Sequence, residues 1–355
     1  MEQARTRTRR RAGLASDLTI LGIVGVLLLA AIAAGGLSLY RDFYGPSAFV
    51  ERYLDLLSSG RAADALRVPG VAVDRAALEE NGIDGAASEA LLRRAALAPL
   101  DDVEIVSETE QDGSFLVTAD FRAGGAKGRT TFTVVQDGWV GVTPNWSFAV
   151  SPLAEVELRL RGADRFAVNG FEVDRRQVSA QGADADPLEP LHLLVFTPGV
   201  YSVTVDTAIS HTPGVKVLAD TPLARTPVEV QAQPTEEFRE VVQQRVEEFL
   251  EGCTTQEVLQ PTACPFGLTV RNRIASPPKW SIVQHPTVTV VPDGANWAIP
   301  PADAVAHIEV DIQSLFDGSI DHVSEDVPFR INGTIAILPD GSASIRVGSP
   351  DVESD

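Results

Sequence analysis

The sequence predicts a mixed chain, part α+β and part all-β: one N-terminal transmembrane helix, a domain of helices and antiparallel sheet, a small β-sandwich, and a second helix-and-sheet domain. Three observations lead there. Residues 18–40, LTILGIVGVLLLAAIAAGGLSLY, form an apolar run of 23 residues without Asp, Glu, Lys, Arg or His. Beyond it, the spacing of apolar residues switches from helical to two-residue alternation near Asp102 and again after Gly252. Between those regions lie about 80 residues of short alternating stretches and turn residues with no helical period.

Composition sets the outer limits. The chain has 355 residues, with 29 Lys+Arg against 49 Asp+Glu and a formal charge of −20. Neutralising phosphates takes a basic patch, so this balance argues against a nucleic-acid binder. Hydrophobic residues at 44% and charged residues at 22% lie near the globular norm, so the chain has the composition to bury cores. At ~100–200 residues per domain, the length beyond the N-terminal segment leaves room for two or three modest domains.

Residues 1–17 carry Arg5, Arg7, Arg9, Arg10 and Arg11 against Glu2 and Asp17, a charge of +3 that leaves −23 on the remainder. At ~1.5 Å per residue the 18–40 run makes about 35 Å of helix, enough to cross a hydrocarbon core ~30 Å thick with some tilt. The arginines before it and the acidic bulk after it predict a single-pass plasma-membrane protein, N-terminus cytoplasmic and bulk extracytoplasmic. Tyr40, Phe43 and Tyr44 then fall at the outer interface, where amphipathic rings are favoured. A cleaved signal peptide is the competing expectation, because Ala31-Ile32-Ala33 resembles a small-residue cleavage site. The anchor is preferred, since the run exceeds the roughly 7–15 residues of a signal-peptide core. No Cys follows the run to carry a lipid, and a 17-residue tail is too short for a kinase or DNA-binding domain.

The first domain is expected over 46–150. Pro46 suits a first helical turn, Phe49, Val50, Tyr53, Leu54 and Leu57 recur at helical spacing, and Gly60 supplies a stop. Residues 61–68 and 88–97 also read as helical. Strands are expected at 103–110, 114–122, 128–136 and 139–143, with Asp112-Gly113 and Asp137-Gly138 as hairpin turns and Gly124-Gly125 in a longer loop. Helices first and a meander second place the helices on one face of the sheet. The opening helix with Gly60 after it, and the closing Val134-Val135-Gln136-Asp137-Gly138-Trp139-Val140 hairpin, resemble the NTF2-like family over roughly 100 residues. A cystatin-like sheet has nearly the same pattern.

Residues 151–232 are expected to form the sandwich. Glu155, Glu157, Arg159 and Arg161 alternate with Val156, Leu158 and Leu160, as in a half-exposed strand. Asn169-Gly170 joins 166–168 to 171–173, the strongest short hairpin signal in the chain. Residues 191–196, Pro198-Gly199, and then Tyr201, Val203 and Val205 make another strand–turn–strand, and Val228 and Val230 close the segment. Such spacing indicates an immunoglobulin-like sandwich. The Asn-Gly hairpin and the run from Phe196 to Val205 resemble the middle β modules of the teicoplanin-resistance-associated membrane protein family, which implies a spacer role. The arrangement of anchor and domains is similar to that of single-pass bacterial envelope proteins of the actinobacterial type.

Residues 234–348 repeat the helix-then-meander plan, which implies a second NTF2-like or cystatin-like domain before an acidic tail, 349–355. Thr235 caps a helix whose first turn holds Glu236 and Glu237, favourable against the helix dipole. Phe238, Val241, Val242, Phe249 and Leu250 form its apolar stripe, down to Gly252. Strands are expected at 268–274, 280–284, 287–291, 304–314, 327–338 and 342–347.

Few residues suggest chemistry. Cys253 and Cys264 are the only cysteines, and outside the cytoplasm a pair at this spacing is most simply a disulfide. A redox pair is disfavoured without Cys-x-x-Cys, and zinc would need further ligands nearer than His285. His192, His211, His285, His307 and His322 are scattered singly, so no metal or cofactor is expected. His307 shares the odd-numbered side of 304–314 with Asp303, Glu309 and Asp311. That side either lines a cone-shaped pocket, with His307 and Asp311 as an acid–base pair, or is the solvated side of an alternating strand; the second is favoured. Around Asp317-Gly318 a calcium loop fails, because with Gly318 sixth the first, third and twelfth places are Gln313, Leu315 and Ser324. The glycine-rich 124–130 stretch misses the phosphate-loop spacing and reads as a hairpin tip. Asn145-Trp146-Ser147 and Asn332-Gly333-Thr334 fit the glycosylation pattern, a match common by chance. No catalytic residue is nominated.

The expected function is therefore non-enzymatic: a membrane-anchored extracytoplasmic protein that binds or scaffolds an envelope protein, wall polymer or small ligand. The NTF2-like resemblance adds a homodimer through the sheets as an expectation. The alternative is an enzyme or small-ligand sensor that uses an NTF2-like cone.

Overall fold

The computed structural model describes residues 21–28, 40–141, 143–338 and 340–348. Residues 21–28 and 40–44 are helical. The rest of the 18–40 run lies outside the described residues, as do the basic tail 1–17 and the acidic tail 349–355. Among the described residues no helix is long and apolar enough to cross a membrane. The fold is mixed and mostly strand, with several sheets, and divides into two compact units: Met1–Val73 with Pro99–Pro152, and Asp74–Ala98 with Leu153–Asp355.

The first unit sets α1 (Pro46–Ser58) and the short α2 (Ala62–Ala65) beside four strands, β1 (Leu100–Gln111), β2 (Ser114–Ala123), β3 (Ala126–Val140) and β4 (Thr143–Phe148). The strands pair antiparallel in the order β1-β2-β3-β4. Pro46 sits where the first-turn N–H groups have no helical partner, so its missing donor costs little. Phe49, Val50, Tyr53, Leu54 and Leu57 are buried, as are Val117, Phe121, Phe132, Val134 and Phe148 on the sheet. The Phe148 ring lies 4.9 Å from that of Phe49 and 5.1 Å from that of Tyr53.

Two turns differ from expectation. Gly124-Gly125 is a two-residue turn, not a longer loop, because Ala123 pairs directly with Ala126. Asp137-Gly138 is not a hairpin tip: β3 runs on to Val140 and turns back at Thr143, with the register shifting between Gln136 and Trp139. Gly138, at φ 82, takes up the extra length as a bulge inside the strand. Asp112-Gly113, at φ 50 and 79, is a tight turn as expected.

Residues 74–98 fall within the range predicted as the first domain, yet their contacts lie in the second unit. They hold α3 (Arg75–Glu80) and two 3-10 turns, Glu89–Leu91 and Arg94–Ala96, in place of the helix expected over 88–97. Pairing explains the difference. Ser88 donates its N–H to the His192 carbonyl at 2.8 Å and accepts from the Leu194 N–H at 2.9 Å, which keeps it extended. Leu91 and Ala96 then enter the sandwich core.

The sandwich comprises β5 (Leu153–Arg161), β6 (Arg165–Val168), β7 (Phe171–Asp174), α4 (Arg175–Val178), β8 (Leu191–Phe196), β9 (Gly199–Thr204), β10 (Ser210–His211), β11 (Val215–Ala219), β12 (Arg225–Gln231) and β13 (Gln233–Pro234). One sheet runs β11-β9-β6-β7 and another β12-β5-β8, with β12 parallel to β5. Val156, Leu158, Leu160, Val168, Leu193, Tyr201 and Val203 belong to one buried core. The Asn169-Gly170 turn forms as expected, at φ 50 and 84. Asn169 does more than turn the chain: its Nδ2 donates to the carbonyls of Ala96 and Val200, both at 2.8 Å, and its Oδ1 accepts from Ser202 N–H.

The remaining elements are α5 (Glu236–Thr254), β14 (Arg273–Ile274), β15 (Lys279–Gln284), β16 (Val291–Asp293), β17 (Asn296–Gln313), β18 (Ile320–Ile337) and β19 (Ala343–Gly348). The sheet is β14-β17-β18-β19, with β15 and β16 also pairing with β17. Thr235 caps α5 by accepting from the Phe238 N–H at 3.2 Å. The buried stripe of α5 is Phe238, Val242, Val246, Leu250 and Cys253; Val241, assigned to it from spacing, is exposed. The strands expected at 268–274 and 287–291 contract to Arg273–Ile274 and Val291–Asp293. At the second, Gln243 on α5 donates to the Pro286 carbonyl at 2.9 Å and accepts from Val288 N–H at 2.8 Å, so a helix side chain takes the bonds a strand partner would.

Candidate functional site

A cleft of about 730 Å³ opens in the second unit, between the β6–β7 hairpin and the connection from β18 to β19. Asp164, Glu172, Asp174, Asp206 and Asp340 line it against a single guanidinium, Arg165. Asp174 occupies the N-cap of α4 and receives Arg176 through its backbone N–H at 3.0 Å, Nε at 2.9 Å and Nη2 at 2.6 Å. The Arg176 guanidinium, more than Arg165 at 3.6 Å, holds the Asp174 carboxyl below the usual carboxylate range. Asp340 is also held low, by the Ser342 hydroxyl at 2.6 Å and N–H at 2.9 Å. Glu172 and Asp206 have no ion-pair partner among the described residues. The cleft thus presents ionised oxygen acceptors to its contents, and suits a cationic, hydrogen-bonding group better than an apolar one.

Behind it, Arg175 is 1% exposed. Its Nη2 donates to the Leu160 carbonyl at 2.7 Å and its Nη1 to Glu189 at 3.1 Å, fastening the stretch after α4 to the sandwich. Burial pulls its pKa down and Asp164, 3.7 Å away, opposes that.

A second polar cluster is one the sequence did not reveal. Glu155 on β5 is fully buried, although alternation assigned it to the exposed side. Its carboxylate meets His192 Nδ1 at 2.6 Å and Arg225 Nε at 3.0 Å, and accepts the Asp84 N–H at 2.7 Å. His192 Nε2 stands 3.7 Å from the Asp84 carboxylate. Asp84 and His192 also border a cavity of about 360 Å³. These residues lie 37 to 71 positions from Glu155 along the chain, so no local spacing points to them. Together they fasten residues 74–98 to the sandwich.

His307 and Asp311 sit on the side of β17 turned away from α5, while Ala304, Ala306, Ile308, Val310 and Ile312 enter the core. The structure does not bring the two together: they stand four positions apart along the strand, about 13 Å. Each has a partner on β18 instead. His307 Nδ1 pairs with Asp326 at 2.6 Å and its Nε2 with the Ser324 hydroxyl at 3.2 Å, and Asp311 pairs with His322 at 2.9 Å. The His322 bond, with help from Ser276, lowers the Asp311 pKa. This is a ladder of cross-strand pairs on a solvated face. Cys253 and Cys264 are joined in a disulfide, with Cα atoms 5.9 Å apart, that ties the end of α5 to the following loop. Among the described residues no group of three or more His, Cys, Asp or Glu is placed to hold a metal ion.

No protein-family model, curated protein or solved structure matches this chain.

Proposed function

We propose that this protein is a single-pass, extracytoplasmic binding protein of the bacterial envelope, non-enzymatic, whose polar cleft holds a cationic segment of an envelope protein or wall polymer. The observation that carries the reading is the 23-residue uncharged run set between a +3 tail and a −23 remainder. The Cys253–Cys264 disulfide supports it, because such bonds persist in oxidising compartments. So does a cleft lined by five carboxylates, in which Asp164 and Asp174 face arginines while Glu172 and Asp206 have no ion-pair partner among the described residues, which matches a partner bearing amines or guanidiniums. In this reading each helix-and-meander portion is NTF2-like or cystatin-like, and the sandwich is an immunoglobulin-like spacer.

Protease added to intact spheroplasts tests the orientation: digestion of the large domain is expected, and its protection refutes the reading. For the cleft, Glu172→Lys with Asp206→Lys is expected to abolish photocross-linking from cleft positions to envelope material in intact membranes. Unchanged cross-linking removes the cleft from the proposal.

A further inference from the structure

Unit one carries an exposed apolar feature that its core does not explain. At the β3–β4 tip, Trp139 is 63% and Val140 69% exposed, whereas Trp146 and Phe148 on the same hairpin are buried. Trp139 stands opposite Pro144, and Gln136 opposite Trp146, so Trp139 shares the face of the sheet that packs on α1. That face outruns its helix. Past Pro46, the chain continues into the helical turn 40–44, where Phe43 is 66% exposed.

The tip and that turn are side by side. Trp146 Nε1 donates to the Tyr44 carbonyl at 2.7 Å, which puts the two residues level. From Trp146, two strand residues to Pro144 advance the sheet about 7 Å past the start of α1. Tyr44 closes the helical turn 40–44, which enters α1 through the extended backbone of Gly45, at φ −79 and ψ 172. Trp139 therefore lies about 7 Å past the level of Tyr44, on the N-terminal side of α1, and Tyr44 stands four positions after Tyr40, the last residue of the apolar run. If that run spans the hydrocarbon core, the headgroup zone begins there and extends roughly 5–7 Å outward. Indole and phenol rings are favoured in that zone.

We infer that the β3–β4 hairpin tip is a second membrane contact, with Trp139 and Val140 seated in the outer headgroup layer beside Tyr40, Phe43 and Tyr44; this rests on the anchor reading above. The tip acts as a stop that sets the distance and tilt of the first unit over the bilayer. Asp137 in the hairpin and Asp42 in the turn outweigh Arg41, so no excess of basic residues draws the contact to anionic lipid; it is with the neutral interface and is driven by apolar burial.

The test uses the full chain in phosphatidylcholine vesicles, with and without dibrominated acyl chains, which quench indole emission on contact. Trp146, Trp280 and Trp297 are buried, and serve as the unquenched background. Brominated lipid is expected to quench the native chain, and Trp139→Phe to lose most of that quenching while its melting temperature and its flotation with the vesicles stay unchanged. Equal quenching in both chains, or none in a native chain that floats with the vesicles, overturns the hairpin contact and leaves the anchor standing. Quenching of Trp139 by aqueous iodide in those vesicles also overturns it, in favour of solvent or a protein partner. A chain that fails to float overturns the anchor and the hairpin contact together.

Discussion

Glu155→Gln is the most informative substitution in the second unit. It keeps the shape of the side chain but removes a charge that is fully buried and that faces His192, Arg225 and the Asp84 N–H. Breaking a buried ion pair from one side costs about 3–5 kcal/mol, because the remaining charges stay desolvated. Here Arg225 is 40% and His192 25% exposed at the side chain, so water relieves part of the penalty and the lower end, about 3 kcal/mol, is expected. At roughly 2–4 °C per kcal/mol for a unit of this size, the melting temperature falls by about 6–12 °C. Calorimetry reads that shift. Hydrogen exchange adds a local reading, since the amides of Asp84, Ser88 and Leu194 are bonded where residues 74–98 meet the sandwich, and they should exchange faster than the β9 amides. A loss under about 1 kcal/mol, with those amides unchanged, refutes the view that this cluster holds the segment in place.

Three further predictions are independent of that cluster. Replacing both Cys253 and Cys264 by Ser should lower stability by about 3 kcal/mol, the chain-entropy value for a closed loop of this length, read as a lower denaturant midpoint than that of the oxidised chain. Asp174→Asn should cost about 1 kcal/mol at pH 7, through the α4 cap and the Arg176 bonds. Because the folded Asp174 pKa lies below its unfolded value, its stabilisation is complete above about pH 4 and is lost as pH falls through the folded value; melts of the two proteins should converge in acid. Trp297 is wholly buried with its Nε1 unbonded, so Trp297→Phe, which removes volume and an unsatisfied donor together, should cost under about 1.5 kcal/mol, against about 3–5 for Trp297→Ala in a chemical melt.

Local rules carry far in this chain. Pro46 and the apolar spacing after it mark α1, Thr235 and two glutamates mark α5, and Asp112-Gly113 and Asn169-Gly170 mark hairpins, because caps and left-handed turn residues act within a few positions. The alternation over Ala304 to Ile312 separated core from solvent in the same way. It failed where partners are distant. Asp137-Gly138 has the chemistry of a turn but became a bulge, since pairing with β4 determined where β3 ends. Gln243 displaced a strand, and Ser88 stopped a helix, through bonds to residues 43 to 106 positions away. Val246 rather than Val241 faces the sheet because the α5 stripe follows the surface it packs on.

The sequence by itself determined the amphipathic periods, the turn chemistry, the disulfide pair and the separation of a basic tail from an acidic bulk across an apolar run. All of these depend on composition or on neighbours a few residues apart. Only the tertiary structure decided that 74–98 packs on the sandwich, that Glu155 is buried, that the cleft carboxylates converge, and that the β3–β4 tip carries Trp139 past Tyr44. Those depend on which residues far apart in sequence come together, and spacing along the chain carries no record of that.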